Sequence, residues 1–178
     1  MTPVAMGRGA PVTATPPALS LTPVSRRAGI TQGIGMGGFV DGIVLHQILG
    51  WHNMGSSVVP PTTMDAMRRN MTWDGLFHAA VWLITLAGIY VLLADARRSA
   101  PLPSARAFTG QLLLGWGAFN LVEGIVDHLL LNIHHVRDLP VHVPVYDWIF
   151  LLVAGIGFAV AGWGMARESS APGARRSV

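Results

Sequence analysis

The sequence contains no cysteine, which excludes disulfides, thiolate metal sites and thiol catalysis. It contains no lysine either: all twelve basic residues are arginine. Charged residues make up only 12% of the chain, well below the roughly 25% usual in soluble domains. In contrast, 51% of its 178 residues are hydrophobic and the mean hydropathy is positive. That balance predicts an integral membrane protein. The net charge of +3 comes from arginines in short clusters that form no face or stripe. They read as topology signals, and nucleic-acid binding is not expected. Any metal must be held by histidine, carboxylate, methionine or amide groups, and the eight methionines are read as lacking Met-x-x-Met clustering, so a methionine-lined copper pathway is not expected.

Residues 1–27, "MTPVAMGRGAPVTATPPALSLTPVSRR", are rich in Pro, Thr, Ala and Ser. They lack the apolar core and cleavage site of a signal peptide, and a disordered cytoplasmic tail is expected. Four spans follow at about Ala28–Trp51, Trp73–Ala94, Ala107–Asn132 and Tyr146–Ala166, each near the roughly 20 residues that a bilayer requires. Residues 167–178 form a second cytoplasmic tail. The two tails and the second loop hold nine arginines, against Arg68, Arg69 and Arg137 in the first and third loops. The positive-inside rule then places both termini in the cytoplasm. Trp51, Trp73, Tyr146 and Trp148 fall at outer helix ends, as an aromatic belt would.

The first and third spans are related. "FVDGIVLHQILGWHNM", residues 39–54, aligns with "LVEGIVDHLLLNIHHV", residues 121–136, with seven identities in sixteen positions at an offset of 82. Val, Ile and Leu repeat cheaply in membranes, but here Asp41 also faces Glu123, Gly42 faces Gly124, His46 faces His128 and His52 faces His134. The spans that follow begin "TWDGLF" and "VYDWIF", pairing Asp74 with Asp147. The predicted fold is an all-α, integral membrane four-helix bundle built from two tandem two-helix repeats, running parallel about an axis along the membrane normal.

Ionisable groups in hydrocarbon are costly and mark function. With both termini inside, those of the spans gather in the outer half. His52, His134, Asp74 and Asp147 are expected near the outer surface. His46, His78 and His128 lie roughly 9 Å deeper, with Asp41 and Glu123 a further 7–8 Å in, at about 1.5 Å per residue. Converging imidazoles in a dry site call for a cation, and imidazole suits copper, zinc, iron and haem iron. The expected metal ligands are His46, His78, His128, Asp74 and Asp147. Asp41, Glu123 and Asp127 are expected behind them as supporting groups or a proton relay. His52, His134 and His135 are candidates at the outer surface, and "NIHHVRDLPVH", ending in His142, could capture an ion first. At about 100° per residue, His46 and His128 point roughly 140° away from Asp41 and Glu123. Either there are two sub-sites or the glycines permit a local distortion of the helix.

"GIGMGG" at 33–38 follows no strand and is not a phosphate loop. It supplies small residues for close helix packing. Seven histidines without a His-x-x-His-His box are too few for a membrane di-iron desaturase.

The set "GFVDGIVLHQILGWHNM", "WDGLFH", "NLVEGIVDHLLLNIHHVRD" and "YDWIFLLVAG" resembles a bacterial membrane protein family known as domain of unknown function 2243, over about residues 28–166. The resemblance implies a four-helix protein of the bacterial inner membrane and brings no activity, cofactor or site residue with it. The residues themselves predict a binder of a transition metal, copper favoured, or of haem b between His46 and His128, serving redox chemistry, metal handling or assembly of a respiratory complex. Enzymatic activity is not favoured. The alternatives are a cofactor-free proton or cation transporter subunit and a structural helper. Expected partners are the lipid bilayer and a second copy or other membrane subunits.

Overall fold

The computed structural model describes residues 26–98 and 102–168; the two predicted tails lie almost wholly outside them. The described residues are helical and contain no strand. They form four rods. The first is α1 (Arg27–Val40), continued by a π-helical segment, Asp41–Ile48. The second is α2 (Met64–Arg97), the third α3 (Ala105–Glu123) with its π-helical continuation Gly124–Leu130. The fourth comprises α4 (Val145–Ile149), a π segment Phe150–Gly157 and α5 (Phe158–Glu168).

Local chemistry sets the starts. The Thr63 and Ser104 side chains accept from the Ala66 and Ala107 amides, satisfying donors that have no partner in the first turn. The Thr63 cap starts α2 well before Trp73, where the apolar run begins. Asn70 then ties the first loop to this extension: its amide donates to Val59 O, and its Oδ1 accepts from the Gly55 N–H.

Three of the rods, Arg27–Ile48, Met64–Arg97 and Val145–Arg167, are long and apolar enough to cross a membrane. The third rod carries Gln111, Asn120 and Glu123, all buried against its neighbours. Burial is inverted relative to a soluble protein. The largest fully enclosed side chains are His52, His128, His134, Asn70, Asn120 and Asp74, while Ile48, Leu76, Leu83, Tyr90 and Leu130 face outward. In water the outer surface would be a large unsolvated patch; in lipid it is the matched one.

α1 packs on α2 and on α3, and α3 packs on the fourth rod, so α1 and α3 form the central pair. They meet almost backbone to backbone. A Cβ on Gly33 would lie 2.8 Å from the Leu112 carbonyl carbon, and one on Gly115 2.9 Å from that of Ile30. Such approach is what small residues permit between membrane helices.

Past the crossing, the first and third rods end alike. Leu49 N–H donates to Val44 O and Leu131 N–H to Val126 O, both at 2.8 Å; Trp51 N–H then bonds Leu45 O at 2.9 Å and Ile133 N–H bonds Asp127 O at 3.0 Å. Between these bonds sit Gly50 (φ 56) and Asn132 (φ 50), the residue types that adopt a left-handed helix terminus. The chain thereby turns back over the end of the bundle. The two returning loops are stitched together: Asp138 and Leu139 N–H donate to Trp51 O, and Ser57 N–H to Ile133 O. Arg137 covers the Trp51 and Tyr146 rings, which pack 5.2 Å apart.

Candidate metal centre

The π segments answer the question of phase. In a π-helix hydrogen bonds run between residues five apart, so residues five apart lie nearly over one another. Asp41 and His46 are five apart, as are Glu123 and His128, and both pairs span the wider turns. Side chains that an α-helix would splay are brought to one side. The chain reversals at Gly50 and Asn132 then return His52 and His134 to the same places. Two triads result, Asp41/His46/His52 and Glu123/His128/His134, every member buried, each offering three ligand atoms within 4.8 Å of one another.

Their geometry is one that could hold a metal ion. His46 Nδ1 donates to Asp74 Oδ1 at 3.0 Å; in the neutral ring this leaves Nε2 with a lone pair. That nitrogen stands 3.0 Å from Asp41 Oδ2, yet neither atom has a hydrogen-bond partner. In the neutral ring two lone pairs face each other at this distance, an arrangement satisfied by a metal ion or by a proton on His46. With metal–ligand bonds of about 2.1 Å, neighbouring ligand atoms lie roughly 3.0–3.4 Å apart. His52 repeats the arrangement: Nδ1 donates to Val136 O at 2.9 Å, and the unpartnered Nε2 lies 3.7 Å from Asp41 Oδ1. A ring whose second nitrogen is tied to a carboxylate or a carbonyl is the usual state of a metal-bound histidine.

The second triad is wider. His134 Nε2 is 4.0 Å from Glu123 Oε1, His128 Nδ1 is 3.4 Å from Asp147 Oδ1, and both nitrogens of both rings lack hydrogen-bond partners. The triads adjoin through His52 and His134, whose rings stack at 4.7 Å and 2°. His46 lies 4.4 Å from His52, and His128 4.9 Å from His134.

The expected residues fall as follows. His46 and His128 each join a triad. Asp41 and Glu123, expected behind the ligands, stand at ligand distance. His52 and His134, expected near the outer surface, are fully enclosed. Asp74 and Asp147 support: Asp74 also accepts from Met54 N–H and the Asn53 amide, and Asp147 from Val136 N–H. His78 belongs to neither triad. Its Nδ1 donates to Asp74 O, its ring lies 6.5 Å from His46, and Gly42 gives it room. Asp127 is half-buried beside the second triad. His135 sits in the loop, held by Asp138.

The reading of the methionines needs correction. Met64, Met67 and Met71 are spaced three and four residues apart, a Met-x-x-Met run legible in the sequence. All three are exposed, and with Arg68 and Thr72 they line a surface cavity of about 340 Å³.

Residues 28–169 match the family described as predicted membrane protein (DUF2243), and the chain belongs to that family. No curated protein and no solved structure matches it.

Proposed function

We propose that this protein is a membrane metalloprotein that handles transition-metal ions at the extracytoplasmic face, one ion in each triad of a duplicated site. The observation that carries the reading is the convergence of buried lone pairs without partners, His46 Nε2 and His52 Nε2 on Asp41, and His134 Nε2 on Glu123. Leaving such groups unpaired in a dry interior is expensive. A divalent ion satisfies them together.

The donor set is two imidazoles and a carboxylate with no sulfur. It suits a divalent first-row ion, and copper(II) binds tightest in the Irving–Williams order. Haem between His46 and His128 is less well supported, because the stacked rings of His52 and His134 occupy the space between them. In this reading Asp74 and Asp147 orient the ligands, all four rods cross the bilayer with both termini inside, and the two halves arose by duplication. The paired π segments, helix ends and triads at one sequence offset support the last point.

The test is metal analysis of the full-length protein purified in detergent, stripped with chelator and titrated with cupric ion. Two retained ions per chain are expected. His46→Ala with His52→Ala should remove one, and His128→Ala with His134→Ala the other. A folded protein that retains none sinks the proposal. It would leave the competing reading, a cofactor-free proton or cation path, for which the burial of the Asp41 and Glu123 carboxyl groups inside the first and third rods is the favouring observation.

A further inference from the structure

We infer that His135, His142 and Asp147 form a third, more open metal site, which loads the buried triads; the inference rests on reading those triads as metal centres. Loop histidines are ordinarily just solvated, and three observations set these apart. First, the three residues bring ligand atoms within 4.8 Å of one another. The His135 and His142 rings stack 4.0 Å apart, and His142 Nε2 lies 3.0 Å from Asp147 Oδ2. Asp138 holds His135 in place from Nδ1 at 3.0 Å, and its Nε2 rests 3.3 Å from Asn132 Oδ1, a long contact that an ion would replace, so the group is assembled in advance.

Second, exposure is graded. The His142 side chain is 40% exposed, His135 14% and Asp147 5%. The cluster reaches from the surface to the buried layer. Third, Asp147 faces both ways: one carboxylate oxygen meets His142, while the other stands 3.4 Å from His128 Nδ1 in the second triad. All seven histidines lie in one continuous file. From His142 the ring steps are 4.0 Å to His135, 6.3 Å to His128, 4.9 Å to His134, 4.7 Å to His52, 4.4 Å to His46 and 6.5 Å to His78.

Among the described residues the first half of the chain has no such mouth. There the Asn53 amide donates to Asp74 Oδ2, in the place that His142 takes on Asp147. An amide nitrogen has no lone pair for a metal, so the file opens at one end. An ion captured by His142, His135 and Asp147 passes inward by ligand exchange, Asp147 swapping its outer partner for His128 with no change in oxidation state.

The test compares the full-length protein with His142→Ala and His135→Ala, all in detergent, by mixing with cupric ion and quenching with chelator at increasing times. The wild type should hold a third, readily stripped ion besides two retained ones. The variants should lose the third and fill the buried pair more slowly, by about tenfold if loading slows as much as affinity falls when a supporting group is removed, while reaching the same final retained content. Filling at the wild-type rate with the third ion still present overturns the mouth and leaves the triads standing. A lowered final content in a folded variant overturns it too, since His142 and His135 would then belong to the buried site. A wild type that retains no ion removes both readings.

Discussion

Replacing Gly33 by alanine tests how the central pair of helices holds the bundle. In an isolated helix the change is favourable by about 0.8–1 kcal/mol. At this crossing the new methyl group would have to move from 2.8 Å out to the 3.4 Å of ordinary contact with the Leu112 carbonyl carbon, and its nearest obstacle is backbone that cannot rotate away. Overpacking of this kind costs about 1–3 kcal/mol; the Leu112 carbonyl oxygen lies nearer still than its carbon, so the upper part of that range applies, for a net loss of about 1–2 kcal/mol, or roughly 2–8 °C in thermal midpoint for a chain this size. Gly115→Ala should behave alike against Ile30. Either substitution forces the same two helices apart, so the double variant should cost clearly less than the sum of the singles. Gly75→Ala is the control: nothing lies within 4 Å of its Cβ position, and it should hold or raise the midpoint. The assay is thermal unfolding in detergent followed by circular dichroism. A Gly33→Ala protein as stable as Gly75→Ala, or a fully additive double variant, would refute the backbone-to-backbone crossing. Metal retention should survive in folded single variants, because each triad is built on one rod and its own returning loop.

Three further outcomes follow from the site and its loops. Asp74→Asn removes the acceptor that sets the His46 tautomer and should weaken cupric ion binding in the first triad about 10- to 100-fold, leaving the second unchanged; a competition titration that shows equal loss in both would contradict the assignment. Burial raises the Asp138 carboxyl, but hydrogen bonds from Ser56, Ser57 and His135 outweigh it and hold the group below its usual range. A carboxyl depressed in the folded state stabilises above its unfolded value, near 3.9, and that contribution fades as pH falls through the lower folded value. Asp138→Asn should therefore lower the thermal midpoint at neutral pH, and the gap to wild type should close toward pH 3. Because the chain has no cysteine, single cysteines report topology directly: Ser57→Cys should react with an impermeant thiol reagent from outside intact cells, and Arg98→Cys only after permeabilisation.

The rods and the polar residues inside them were legible from hydropathy and from the recurrence of Asp or Glu, Gly, His and His at one spacing. Their convergence was not. A period of 100° per residue turns His46 away from Asp41, and nothing local in "DGIVLHQI" announces a wider turn; the π geometry was visible only as an unresolved conflict of phase. The enclosure of His52 and His134 depends on loops folding back over the bundle, and those loops are held by contacts between distant parts of the chain, Ser57 with Ile133 and Trp51 with Asp138. Linear depth counting had no access to them. His78 shares a level with His46 but points elsewhere, since its Nδ1 is taken by its own helix. The methionine row at 64, 67 and 71 is plain in the sequence.

On the proposed metal reading, the crossing of Gly33 and Gly115 bears on which side of the membrane supplies the ion. Two backbones in contact leave no gap for an ion between α1 and α3, so the central seam beneath the file of imidazoles is closed. On the proposed orientation the centre is a cul-de-sac: ions come and go on one side, and its occupancy registers the supply of a single compartment while staying blind to the other.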